Sequence, residues 1–253
     1  MNRFTRKALQ SLRLYNPVID LKHWLQGTQK KYQEFYSQFV SEGDLCFDVG
    51  ANVGRRTSVL LFLKTRVVAV EPQPHCMEIL KKKFAQNGNV TLVNTALSDH
   101  KGTATMYVSN THSLSSLSKE WIRAVQDSGR YTSSQWDKTI TVPLETLDTL
   151  IEKYGRPVFL KIDVEGHERD VIAGLSTPIR NISFEFTPEY LGSTMECVEN
   201  LARLGNPEFN LCLGETPFHW HLEQWENAGD FRRILETIAA GGQVGDVYVR
   251  FDL

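Results

Sequence analysis

The chain has 253 residues, of which 41% are hydrophobic and 23% charged, and its formal net charge is -2. These totals suit one large α/β domain and exclude a disordered or collagen-like chain, and the near-neutral balance lacks the basic field that nucleic-acid binders carry. The longest apolar run, Val59 to Leu63, falls far short of the ~20 residues that cross a bilayer. No charged start, apolar core and cleavage site marks a secretory leader, and the four cysteines are widely scattered. Free buried thiols in a cytoplasmic protein are therefore expected.

Residues 1–43 read as an N-terminal helical extension of a domain that spans 44–253. Arg3, Arg6, Lys7, Arg13, Lys22, Lys30 and Lys31 face a single acid, Asp20, in its first part. That basic stretch reads as a solvated face, with peripheral contact to an anionic membrane or substrate as the alternative. Tyr32, Phe35, Tyr36, Phe39 and Val40 then recur at helical spacing and form one apolar face that packs on the domain.

From Asp44 onward β-rich runs alternate with helical ones. Seven strands are predicted: 45–49, 67–71, 90–94, 158–163, 182–186, 209–213 and 246–251. Helices are expected near 57–64, 76–86, 167–174 and 195–204. This alternation argues for a mostly parallel seven-stranded sheet with helices on both faces. Ligands of such sheets sit beyond the carboxyl ends of the strands. Residues 109–138 interrupt the rhythm between two runs, 104–108 and 140–143, that suit a hairpin. The insertion is rich in Ser and carries Trp121, Tyr131 and Trp136. It reads as a lid on the acceptor side, containing one short helix around Trp121, Ile122 and Val125.

The sharpest motif is Phe47-Asp48-Val49-Gly50-Ala51-Asn52-Val53-Gly54, a strand running into a glycine turn and a helix. About 20 residues on, the next strand ends in Glu71, where an acid accepts hydrogen bonds from ribose hydroxyls. Nicotinamide enzymes share that acid. Asp48 separates the two classes, because a carboxylate beneath the turn repels a pyrophosphate and attracts the ammonium and sulfonium of S-adenosylmethionine. The glycine spacing also departs from G-x-G-x-x-G, with Asn52 and Arg55 at the second and third glycine positions.

The sequence resembles the FkbM family of methyltransferases. The likeness runs through Gly43-Asp44, the 48–54 motif, Val70-Glu71-Pro72-Gln73-Pro74, Ala96-Leu97-Ser98-Asp99, Thr146-Leu147-Asp148, the stretch Leu160 to Glu168, and Gly245-Asp246-Val247. It covers roughly residues 40–250. The resemblance implies a Rossmann-like methyltransferase fold, S-adenosylmethionine as donor, and O-methylation of a sugar or other natural-product hydroxyl. It carries donor binding onto Asp48, Gly50, Ala51, Asn52, Gly54, Glu71, Ala96 and Ser98. Arg55-Arg56 depart from the smaller or aromatic residues expected at the start of that helix.

At the reacting end, the strand 158–163 delivers Asp163, Glu165 and His167 to the carboxyl edge. Asp163 is the first candidate for the base that takes the acceptor proton, followed by Glu165 and His167. A persisting strand would point Asp163 and Glu165 in opposite directions. Glu185 ends the following strand, and converging carboxylates would equally suit Mg²⁺. Lys161 reads as a structural ion-pair partner. A small-molecule or glycan acceptor is expected, and no nucleic acid. The rivals are a nicotinamide oxidoreductase, a nucleic-acid or protein methyltransferase, and a non-catalytic module that kept the fold.

Overall fold

The computed structural model of the chain describes residues 28–214 and 219–253. The basic residues Arg3 to Lys22 lie outside them. The described chain opens with α1 (Thr28–Tyr36), followed by β1 (Leu45–Val49), α2 (Arg55–Phe62), β2 (Arg66–Val70), α3 (Pro74–Phe84) and β3 (Val90–Val93). A side unit follows: β4 (Ala96–Leu97), β5 (Gly102–Val108), α4 (Lys119–Asp127) and β6 (Lys138–Glu145). The chain continues through α5 (Leu147–Tyr154), β7 (Phe159–Ile162), α6 (Glu168–Ala173), β8 (Asn181–Phe186) and α7 (Leu191–Ala202). It closes with β9 (Glu208–Leu213), β10 (Glu226–Asn227), α8 (Ala228–Ala240) and β11 (Gly245–Arg250).

The main sheet runs β10-β9-β11-β8-β7-β1-β2-β3. The chain starts in the middle, winds outward through β2 and β3, then returns to β7 on the other side of β1. That reversal opens a crevice above β1 and β7, where α/β sheets bind ligands. The strands β3, β2, β1, β7 and β8 pair parallel, while β11 inserts antiparallel between β8 and β9. The expected Rossmann-like methyltransferase architecture is therefore present. All seven predicted strands form, but the sheet has eight. The extra one, β10, is a two-residue pair with β9 that carries no hydrophobic pattern to read. The predicted hairpin is also present, as β5 and β6, which with β4 form a separate three-stranded sheet.

Alternation within the central strands divides the core. On one face Phe47, Val49, Leu160, Ile162, Ile182 and Phe184 pack against α5, α6, α7 and α8. On the other, Cys46, Val67, Ala69, Phe159 and Tyr248 pack against α1, α2 and α3. Every residue of β1 and β7 is buried, as befits central strands covered on both sides. All four cysteines are free and buried. No helix among the described residues is long and apolar enough to cross a membrane.

The predicted apolar face of the N-terminal segment is buried, with Tyr32, Phe35, Tyr36, Phe39 and Val40 all in the second core. The helix itself is shorter than expected. It ends at Tyr36, where Ser37 Oγ donates to the Glu34 carbonyl and Gln38 Nε2 donates to the Phe35 carbonyl. Side chains thus take the last helical carbonyls and the chain turns out of the helix. Phe39 lands beyond it, stacked on Tyr248 and Phe159 at ring separations of 5.5 and 5.3 Å. Phe39→Ala should therefore cost about 3–5 kcal/mol of unfolding free energy, the range for emptying a buried aromatic site. Urea denaturation checks this: the midpoint falls with an unchanged slope, whereas a loss below about 1 kcal/mol would mean that this segment is not part of the cooperative core.

Candidate active site

Above the carboxyl ends of β1, β2 and β7 lies a cleft enclosing about 470 Å³ of empty space, part of it continuous with solvent. Gly50, Asn52, Glu71, Ala96, Asp163, Glu165 and His167 all line it. Seven of the eleven residues singled out from sequence thus share one cavity. Asp48, Ala51, Gly54 and Ser98 do not line it, and each has a visible structural task.

The turn after β1 is tied down from below. Gly50 and Ala51 both donate to the Val70 carbonyl at 3.0 Å. A β-carbon on Gly50 would sit 1.8 Å from the Asp163 carbonyl oxygen, so only glycine lets the tips of β1 and β7 meet. Gly54, also left-handed, faces Leu80 and Phe84, where a β-carbon would come within 2.6 Å. Its absent side chain serves the packing of α2 on α3. Asp48 is buried beneath the turn and accepts a hydrogen bond from Thr57 Oγ1 at 2.5 Å. Burial pushes its carboxyl pKa up, against the opposing pull of that bond. Thr57 carried no sequence signal, because its partner stands nine residues away and across the turn.

Glu71 is 2% exposed, yet its carboxylate faces the cleft. Asn52 N donates to one oxygen and Gln73 N to the other, both at 2.8 Å. Each oxygen keeps a free lone pair for a ligand hydroxyl. Burial drives the Glu71 pKa up to about 7, only partly offset by those two bonds. Beside it, Asn52 adopts a left-handed conformation (φ 50°), and its buried Oδ1 has no hydrogen-bond partner. A buried, unpaired acceptor on a cavity wall calls for a donor from a ligand. The insertion supplies the roof: His112, Ser113, Ser115 and Leu117 line the cleft, and Gln73 holds them there. Gln73 Nε2 donates to the His112 carbonyl at 3.1 Å, and Ser115 Oγ donates to Gln73 Oε1 at 2.9 Å.

At the other end the structure resolves the question of direction. Strand β7 stops at Ile162, and Glu165 then takes a left-handed turn (φ 55°) into Gly166. Asp163 and Glu165 therefore converge, and Glu185 joins them; carboxylate oxygens of all three lie within 4.8 Å of one another. Burial, then the neighbouring acids, push Glu165 and Glu185 well above the ordinary carboxylate range. Asp163 is the more open of the set, with 38% of its side chain exposed, and Lys161 Nζ stands 3.6 Å from its Oδ2. The same ammonium is bonded to Asp246 Oδ1 at 2.7 Å. Burial opposes the charge on Lys161, but Asp163 and Asp246 outweigh it and push its pKa up.

His167 stands apart from this cluster. Its Nε2 lies 3.3 Å from Ser98 Oγ and its Nδ1 3.2 Å from Asp170 Oδ2, at the Ala96–Ser98 end of the cleft. Burial pulls its pKa down, so the ring is neutral at pH 7. Trp121, expected within a lid on the acceptor side, is 1% exposed and seated against Gly166, where a β-carbon would sit 2.2 Å from its Cγ. Together with Ser116 Oγ, which donates to the Glu165 carbonyl at 2.6 Å, it locks the insertion onto the acidic turn.

A family model for the methyltransferase FkbM domain matches residues 48–236. The chain belongs to that family. It is 25% identical over 154 residues to the hexuronic acid methyltransferase AglP of Haloferax volcanii, covering 60% of this chain and 58% of the relative. It is 27% identical over 166 residues to the methyltransferase sdnD of Sordaria araneosa, covering 54% of this chain and 64% of that one. The chain thus spans about three fifths of the length of these curated relatives. Among solved structures, a precorrin-6y C5,15-methyltransferase from Geobacter metallireducens GS-15 superposes with a TM-score of 0.45 at 12% identity, covering 88% of this chain and 86% of that one.

The acidic turn generates a pH-dependent stability. Glu168 Oε1 accepts from Val164 N at 3.1 Å and Gly166 N at 3.2 Å, and burial raises its pKa to about 7. A carboxyl whose folded pKa exceeds its unfolded value stabilises fully below the unfolded pKa, and that contribution is lost as pH rises through the folded one. Glu168→Gln keeps the accepting oxygen without the charge. Relative to wild type, it should gain on the order of 1–3 kcal/mol between pH 4.5 and pH 8. Denaturation midpoints across that range measure it, and a difference that does not vary with pH would contradict the assignment.

Proposed function

We propose that this chain is an S-adenosylmethionine-dependent O-methyltransferase acting on a hydroxyl of a sugar, glycoconjugate or other natural product. One observation carries the reading. A single cleft holds the ribose-type acid Glu71 at one side and the carboxylates Asp163 and Glu165 at the other. Membership of the FkbM family supports methyl transfer, and a relative named for hexuronic acid supports a sugar acceptor. A nicotinamide oxidoreductase is disfavoured by Asp48, which lies buried beneath the glycine turn. A nucleic-acid substrate is disfavoured by the net charge of -2.

S-adenosylmethionine supplies a methyl carbon activated by a positively charged sulfur. On this reading Glu71 accepts from the ribose hydroxyls, and Asn52 Oδ1 accepts from the donor's polar groups. Ala96 and His167 border the adenine, with the His167 ring held in place by Ser98 behind it. Asp163 orients the acceptor hydroxyl and takes its proton as the new O–C bond forms. Lys161 Nζ stands beside Asp163, the most open of the three acids, while burial pushes the pKa of Glu165 and Glu185 up, so Asp163 is the carboxylate placed to accept. The insertion, fastened through Trp121 and Ser116, keeps water from the acidic turn.

Two measurements check this. S-adenosylhomocysteine should bind by calorimetry where NAD(P) does not, and Glu71→Ala should weaken it at least about tenfold by removing two charge-assisted hydrogen bonds. NAD(P) binding in place of S-adenosylhomocysteine would overturn the reading. Asp163→Asn should lower kcat by ~10² or more with donor affinity nearly unchanged. Activity abolished by EDTA and restored by Mg²⁺ would reassign Asp163, Glu165 and Glu185 as metal ligands, and full activity in the Asn variant would remove Asp163 from both roles.

A further inference from the structure

The first part of the insertion is fastened beside Glu71 through one side chain. Gln73 is 7% exposed and reaches partners 39 and 42 residues further along the chain. Its Nε2 donates to the His112 carbonyl at 3.1 Å, and its Oε1 accepts from Ser115 Oγ at 2.9 Å. Ser115 Oγ also accepts from Ser109 N at 3.1 Å, so its own proton is left for Gln73. A side-chain amide matches this pair of partners, with a donor for the carbonyl and an acceptor for the hydroxyl. An ionised Glu lacks the donor, and a Met lacks both.

The roof from His112 to Leu117 has further anchors away from Glu71. Ser116 Oγ donates to the Glu165 carbonyl at 2.6 Å, and Ser116 exchanges two backbone bonds with Tyr107, at 2.8 and 3.0 Å. The roof thus runs from the Glu71 side of the cleft to the acidic turn. Leu117 packs on the small core of the side sheet, which contains Ala96 and Met106, and all three residues line the cleft. Ser113 lines it too. A wall of this kind contributes to binding only while it is in place, and the fraction of molecules that hold it there scales the apparent affinity. Both Gln73 bonds join protein groups to one another, so they set the roof in position before a ligand arrives.

We infer that Gln73 is a positioning residue of the donor site, whose side-chain amide holds residues 112–117 in place as a wall of the adenosine pocket. The inference rests on the methyl-donor reading of the cleft and deepens it, since it gives this part of the insertion to the donor. Glu71 meets the ribose directly, whereas Gln73 acts through the roof. The bond from Gln73 N to Glu71 Oε1 belongs to the backbone and survives a change of side chain, so the two contributions are separable.

The test uses the full chain with S-adenosylhomocysteine as the probe. Gln73→Met keeps the reach of the side chain and loses both bonds, while the Ser116 anchors remain. Calorimetry should show a Kd raised about tenfold, on the scale of two neutral hydrogen bonds. Amide hydrogen exchange of residues 112–117 in the ligand-free variant should quicken by a similar factor while β1 and β7 stay as protected as in wild type. A general loss of stability would not give that local pattern. If Gln73→Met does not fold, Ser115→Ala breaks one of the two bonds from the roof side and should weaken binding several-fold, again with faster exchange in 112–117. A Kd within about twofold of wild type in the folded variants, or weaker binding without faster exchange in the roof, would overturn the inference and leave the methyl-transfer reading in place. Failure of wild type to bind S-adenosylhomocysteine would overturn both.

Discussion

A single buried ammonium group holds the carboxyl edge of this sheet together. Lys161 projects from β7, the strand at the switch point, and binds Asp246 on β11 while standing beside Asp163. Five acids crowd that edge: Asp163, Glu165, Glu168, Glu185 and Asp246. Five ionised carboxylates around Lys161 would repel each other strongly in a low-dielectric interior. The structure meets this by sharing Lys161 between two acids and by holding Glu165, Glu185 and Glu168 toward their protonated forms. Removing the ammonium would leave Asp246 and Asp163 unbalanced, which is why Lys161 is better regarded as the support of the site than as a reacting group.

That constraint also explains the shape of the turn. Glu168 reaches back to accept from Val164 N and Gly166 N, closing a loop in which Glu165 is forced into a left-handed conformation. The same loop leaves no room for a β-carbon at Gly166, where Trp121 is seated. The insertion is therefore built into the acidic turn and not draped over it, and its remaining residues extend across to roof the Glu71 end of the cleft. Charge balance, backbone strain and the roof of the cavity are one arrangement.

Much of this was legible in the residues. The seven principal strands followed from β-rich runs set between helical patterns, and Glu71 followed from its spacing to the glycine turn. The apolar face from Tyr32 to Val40 foretold its own burial. Other features had no local signature. The pairing of Lys161 with Asp246 joins residues 85 apart, through a strand that inserts antiparallel between two others. Convergence of Asp163 and Glu165 depended on where β7 ends, and alternation along an assumed strand argued against it. Trp121 was legible as part of a helix in a Ser-rich lid, but its burial was not, because a sequence does not show the glycine waiting opposite. The hydrogen bond from the Thr57 hydroxyl to Asp48 likewise had no signature in the sequence.

The central claim is that one cleft orients a sulfonium methyl donor between Glu71 and the Asp163–Glu165 carboxylates. A crystal structure with S-adenosylhomocysteine tests it most directly. The account predicts ribose hydroxyls on the Glu71 carboxylate, the adenine between Ala96 and the His167–Ser98 pair, and the sulfur directed at Asp163. A nucleoside bound elsewhere, or one in this cleft with its sulfur turned away from Asp163, would contradict it.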